Sequence, residues 1–243
     1  MRDPRRSAIA GAALFAALLL AVPACSSDSS NDEGAPSTTA AADSGDLVGT
    51  FEIVAGQCEG GAVTAGSYFR MVQSGGTAEA GPFVPNADSS CADTSYSALL
   101  PGTDGGLITG SFQEQPNPPF DAAQNGLADL IVQPMKFFGV NFAASTNPTD
   151  PQSGESVPAP TIMVVDGKLS GDLAAMTVAW NGQQFNQGAP KPDGSMPGIT
   201  AAPTGTYDPA TGAYVLEWTS QIVGGPFDGF TGVWHLEGTF TAG

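Results

Sequence analysis

Few side chains in this sequence have the types and spacing that chemistry requires. His235 is the one histidine, so a Ser–His or Cys–His nucleophile would have to use it. Strand alternation puts it on a face with Val233 and Glu237, opposite Trp234 and Leu236, and no Gly-x-Ser-x-Gly elbow occurs. A partly exposed strand histidine without catalytic duty is the simpler reading. A glycosidase needs two carboxylates at a defined separation. With 24 acidic residues some pair is always near, and nothing selects one. Asp88, Asp93, Asp104 and Asp166 sit in turn-like stretches, yet no Asp-x-Asp-x-Asp-Gly calcium loop exists. Turn formation accounts for those aspartates. Phosphate loops, dinucleotide fingerprints and zinc spacings are also missing, so neither a metal nor a cofactor is expected.

One stretch has the character of a recognition surface: Trp180-Asn-Gly-Gln-Gln-Phe-Asn-Gln187. Amides donate and accept together. Beside aromatic rings they can read sugar hydroxyls while a ring stacks on the pyranose face. Trp180, Asn181, Gln184 and Phe185 are the candidate ligand-binding residues on this reading. The plainer alternative is a polar loop between strands with Phe185 tucked into the core. The Gly/Pro-rich loop 188–203 beside it would form a mobile rim.

Cys25 carries a different chemistry. Arg2, Arg5 and Arg6 precede an apolar run from Ala8 to Val22, which ends in Val22-Pro23-Ala24-Cys25. A charged start, a short apolar core and small residues at the cut make an export signal. The run is about fifteen residues, whereas a spanning helix needs about twenty. Its end resembles the bacterial lipobox. That resemblance covers residues 1–25 only and implies cleavage before Cys25 and diacylation of its thiol. An ordinary secretory signal with a cysteine near the cut is the alternative. Residues 26–45 lack aromatic and large aliphatic side chains, so they cannot bury enough apolar area to offset ordering entropy. We expect a leader over 1–24, a disordered tether over 25–45 and a folded domain over 46–243. The protein would then sit in the cell envelope, anchored to the outer face of the membrane by lipid on Cys25.

Export leaves two further cysteines, Cys58 and Cys91, which in an oxidising compartment are expected to form one disulfide. Closing that loop stabilises by roughly 3 kcal/mol on chain entropy. A metal pair is a poor alternative with one histidine in the chain.

Charge narrows the partners. Of seven basic residues the leader holds Arg2, Arg5 and Arg6, and of 24 acidic ones it holds Asp3. Arg70, Lys136, Lys168 and Lys191 then face 23 acids, a formal charge of −19. Such a field repels nucleic acid and anionic head groups. Basic surfaces, glycans and apolar ligands remain.

The elements that must position these residues read as strands. Leu47–Val54, Ser67–Gln73, Tyr96–Leu100, Leu107–Gln113, Leu127–Gln133, Lys136–Phe142, Asp172–Trp180 and Thr204–Tyr207 are short apolar runs between Gly, Pro, Asn and Asp. Thr161–Val165 and Lys168-Leu169 flank an Asp166-Gly167 turn, which predicts a hairpin. The clearest signals come last. Tyr214, Leu216 and Trp218 share one face, and Trp234, Leu236 and Phe240 share another. Asn147 to Pro160 reads as a long surface loop. The sum is an all-β, antiparallel sandwich or barrel-like single domain. A non-enzymatic binding or structural envelope protein is the first expectation, a surface carbohydrate-binding module the second and an exported hydrolase the third.

Overall fold

A computed structural model of the chain describes residues 44–243. The leader 1–24, Cys25 and the tether through residue 43 lie outside the described residues. In chain order the strands are β1 (Ser44–Asp46), β2 (Gly49–Ile53), β3 (Gln57–Glu59), β4 (Ala62–Ala65), β5 (Tyr68–Thr77) and β6 (Gly81–Phe83). Next come β7 (Ser97–Ala98), β8 (Gly106–Thr109), β9 (Met135–Phe137), β10 (Val140–Thr146), β11 (Thr161–Val165) and β12 (Lys168–Asp172). The last are β13 (Met176–Trp180), β14 (Gln183–Asn186), β15 (Ala201–Tyr207), β16 (Ala213–Gln221) and β17 (Thr231–Ala242). Every strand pairing is antiparallel, and the domain is all-β as the alternation predicts.

The β16–β17 pair shows how the pattern becomes packing. Its register sets Leu216 opposite Leu236 and Trp218 opposite Trp234. All four side chains are buried, and the two indoles lie parallel with centroids 5.4 Å apart. Fully burying side chains of this size is worth roughly 2 kcal/mol or more each.

Hydrogen bonding runs β1-β11-β12-β15-β16-β17-β2. Only Leu47 and Val48 separate β1 from β2 along the chain, and Leu47 N–H donates to the Ile162 carbonyl at 2.8 Å. The continuous β1–β2 segment thus meets both ends of this path, and the sheet curls into a barrel-like ring, with β8 pairing along the other side of β2. Phe51, Ile162, Val164, Leu169, Tyr214, Leu216 and Leu236 fill it. Strands approach closely at Gly205 and Gly238, where a Cβ would lie 1.9 Å from the Val215 carbonyl oxygen and 1.8 Å from that of Glu52. Only glycine fits there.

At its other end the ring opens. The first half of β17 pairs with β5 instead of β2, and β5 carries β6 and β7 away from the ring. A second sheet, β14-β13-β10-β9, packs on this flared part. Phe142 of β10 meets Phe69 of β5 at 5.4 Å and Trp234 at 6.4 Å. One apolar core runs through both regions, so the domain is ring-like at one end and two-layered at the other. The Cys58–Cys91 disulfide is present, with Cα atoms 5.3 Å apart.

Several expected elements differ. Leu127–Gln133 is not a strand: only the isolated bridge Pro101–Val132 touches this segment. Its buried residues Ala128, Ile131 and Val132 do not alternate, and its backbone bonds instead to residues 100–104. Lys136–Phe142 is a hairpin, not one strand. Phe138 and Gly139 take φ of 52° and 77°, the geometry of a type I′ turn. The run Asp172–Trp180 is likewise broken between β12 and β13, where the Asp172 carboxylate accepts from Ala174 N–H at 2.8 Å. Residues 181–187 are not a loop: Asn181 and Gly182, at φ 48° and 70°, turn β13 into β14. Ser44 and Gly45, expected in the tether, pair with Val165 and Val164. The 147–160 segment is not wholly at the surface, since Asn147 and Asp150 are buried.

Candidate functional site

The β13–β14 hairpin sorts the four candidate ligand-binding residues by strand alternation. Val178 pairs with Phe185 and Trp180 with Gln183, so these four share one face. Ala179 and Gln184 occupy the other. Trp180 and Phe185 accordingly line one cavity, together with Phe69 and Met71 from β5, Phe137 from β9 and Phe142 from β10. Trp180 is half-buried, and its indole N–H donates to the Phe137 carbonyl at 2.7 Å. Phe185 is buried. Gln184 instead donates through Nε2 to Gln115 Oε1 at 2.5 Å, and exposed Asn181 serves the turn. The structure thus brings Trp180 and Phe185 together and leaves Asn181 and Gln184 outside.

The cavity measures about 30 Å³ and its wall is almost wholly carbon. That is room for a water-sized body and no more. Gln187 is the one polar residue in the lining, and its polar atoms are spent. Its Oε1 accepts from Trp234 Nε1 at 3.1 Å, its carbonyl accepts from Trp218 Nε1 at 2.9 Å, and its Nε2 donates to the Asn186 carbonyl at 3.3 Å. The remaining wall comes from Ile222 and from Phe227, on the β16–β17 loop. The Phe227 ring stands edge-on to Trp180 at 5.4 Å and to Phe185 at 6.0 Å.

The opposite face of β14 carries Asn186 and a polar cluster that no sequence pattern announces. Lys191 Nζ donates to Ser220 Oγ at 2.7 Å and to the Asn186 carbonyl and Oδ1 at 3.1 and 3.3 Å. Asn186 Nδ2 in turn donates to Asp150 Oδ1 at 3.0 Å and to the Ala174 carbonyl at 2.8 Å. All four of these side chains are buried. Burial lowers the Lys191 pKa to about 8, against the opposing charges of Asp150 and Asp193. A groove of about 390 Å³ opens above the cluster. The ammonium has three acceptors and so spends all its donors inside the protein. This arrangement holds the 147–160 and 188–203 segments against β14; it offers no free nucleophile. The 188–203 segment, expected as a mobile rim, therefore contributes a buried anchor.

His235 is partly exposed on the outer face, as expected. Its Nδ1 lies 2.7 Å from Glu217 Oε1 and its Nε2 lies 3.5 Å from Glu237 Oε2. The Tyr68 ring stacks on it at 4.6 Å. Burial alone would lower its pKa, but the hydrogen bonds and charges of Glu217 and Glu237 outweigh that and hold it raised. With both ring nitrogens facing carboxylates, the imidazole activates no hydroxyl.

Among the described residues, no group of three or more His, Cys, Asp or Glu side chains converges to hold a metal ion. A scan against protein-family models, a search of curated proteins and a search of solved structures each return no match to this chain.

Proposed function

We propose that this chain is an envelope lipoprotein, anchored by lipid on Cys25, whose β domain binds a small apolar ligand without transforming it. The observation that supports the binding reading is the carbon-walled cavity that Trp180 and Phe185 share with rings from β5, β9 and β10. Ligand sites are apolar concavities placed between elements, and this one admits more than a water-sized body only when the half-buried Phe227 ring moves aside. A sugar site is less well supported. Trp180 meets its neighbours edge-on instead of offering a free face, and the amides of Gln184 and Gln187 are engaged internally.

Two experiments test the two halves of this reading. Membrane fractionation should show the wild-type protein in the detergent phase and a Cys25→Ala variant in the aqueous phase. Equal detergent partition of both contradicts the lipid anchor. For the site, tryptophan fluorescence of the mature chain is titrated with neutral hydrocarbons, monocyclic aromatics and methyl glycosides. Saturable quenching by an apolar compound, weakened when the extra methylene of Val178→Ile takes up the free space, supports the reading. A response to glycosides alone, or to nothing, contradicts it.

A further inference from the structure

We infer that Phe227 is a built-in stand-in for the ligand, and that the ligand is a neutral compound carrying a single aromatic ring which displaces Phe227 from the mouth of the cavity. This inference rests on the apolar-site reading above and names the ligand class for it.

Phe227 is unlike the other rings of the cavity. Phe69, Phe137, Phe142 and Phe185 belong to strands and are buried. Phe227 rides on the loop between β16 and β17 and is only half-buried. That loop is held mainly by itself. Gly224 N–H donates to Asp228 Oδ1 at 2.6 Å, Gly229 N–H to the Ile222 carbonyl at 3.0 Å and Phe230 N–H to the Phe227 carbonyl at 3.0 Å. Among the described residues a single hydrogen bond, from Gln152 Nε2 to the Val223 carbonyl at 2.6 Å, ties it to another part of the chain. Gly224, Gly225 and Gly229 take φ of 79°, 72° and 82°, so the loop pivots on residues with wide backbone freedom. It can swing as a unit without breaking its internal bonds.

What it would uncover defines the ligand. The space beside Phe227 holds only about 30 Å³ while the ring is in place. Vacating the ring extends it toward the ~150 Å³ at which an apolar cavity takes up benzene. The vacated place is bounded by the edges and faces of Trp180, Phe185 and Phe230, an arrangement that favours another flat ring. With no free polar atom or charge in the lining, the part of the ligand that enters must be neutral.

The test uses the mature chain and toluene as the probe, with binding followed by tryptophan fluorescence and by saturation transfer to the toluene methyl. Wild-type protein should bind toluene saturably and hexane more weakly. Phe227→Ala should bind toluene about tenfold tighter, since no resident ring must leave. Phe227→Leu, which keeps most of the apolar volume, should gain less. Equal affinity of wild type and Phe227→Ala overturns the stand-in role while leaving the apolar site in place. Binding by Phe227→Ala alone shows a cavity made by the substitution and overturns the inference. No binding by any of the three overturns the inference together with the apolar-site reading.

Discussion

Residues 185 and 186 are neighbours on β14, yet they serve two sites of opposite character. Phe185 looks into a cavity that is apolar and incompletely filled, closed by a ring on a self-contained loop. Asn186 looks into a cluster in which the buried Lys191 and Asp150 are joined through one amide and every donor of the lysine is used. Unfilled apolar space forfeits dispersion contacts that a ligand restores. A saturated polar network offers a ligand nothing that the protein does not already have. On the proposed reading, binding belongs to one side of the strand and scaffolding to the other. By its residue types alone, the lysine–aspartate side would have been the more natural place to look for function.

That contrast breaks first, if it breaks, at Asn186. Asn186→Ala leaves Asp150 Oδ1, the Ala174 carbonyl and the Gly188 N–H without their partners and takes one of three acceptors from Lys191, so urea unfolding should show a loss of roughly 3–5 kcal/mol. A loss under 1 kcal/mol would mean that the cluster is not a scaffold.

Lys191 supplies the next largest effect. Its pKa in the folded state, about 8, lies below the ordinary 10.5, so the folded state releases its proton first. The cost of burying that charge is therefore present below pH 8 and relieved as pH rises to 10.5. Relative to Lys191→Met, wild-type stability should climb by about 3 kcal/mol across that interval. A flat difference between the two proteins removes the claim that burial sets this lysine.

Phe227→Ala should cost only about 1 kcal/mol, well below the usual cost of truncating a buried phenylalanine, because the ring is half-buried on a loop. A cost near that of a core residue would place Phe227 in the scaffold and erase the distinction between the two sides.

The smallest effect belongs to the outer face. The raised His235 pKa stabilises fully below 6.5 and is lost as pH rises through the raised value. The Glu217 pKa is lowered, mainly by its hydrogen bond from His235, so its share is present above 4.5 and lost as pH falls through the lowered value. The pair therefore acts most between pH 4.5 and 6.5. Glu217 is 57% exposed, so screening limits the pair to roughly 0.5 kcal/mol. His235→Gln should lower the melting temperature slightly in that window and leave toluene binding unchanged.

Legibility in the sequence follows how local each signal is. Tyr214, Leu216 and Trp218 declare their strand because each side chain reports its own face by period two. The Cys58–Cys91 pairing follows from counting cysteines, and the Asp166-Gly167 turn from its dipeptide. Leu127–Gln133 misled because buried apolar residues on an irregular segment resemble a strand until their spacing is checked. Trp180 and Phe185 were legible as two aromatic residues of one stretch, whereas their sharing of a cavity without Asn181 and Gln184 needed the hairpin register. Phe227 was not legible, since Gly224 to Gly229 reads only as a turn. Lys191 and Asp150 were hidden because each sits in a Pro-rich stretch that sequence treats as surface, and only the fold brings both to Asn186.

The most direct test of the central claim is a crystal structure of the mature protein soaked with iodobenzene. The account predicts an anomalous iodine peak among Trp180, Phe185 and Phe142, with the Phe227 ring displaced outward. Iodine elsewhere, or none with Phe227 still in place, would contradict it.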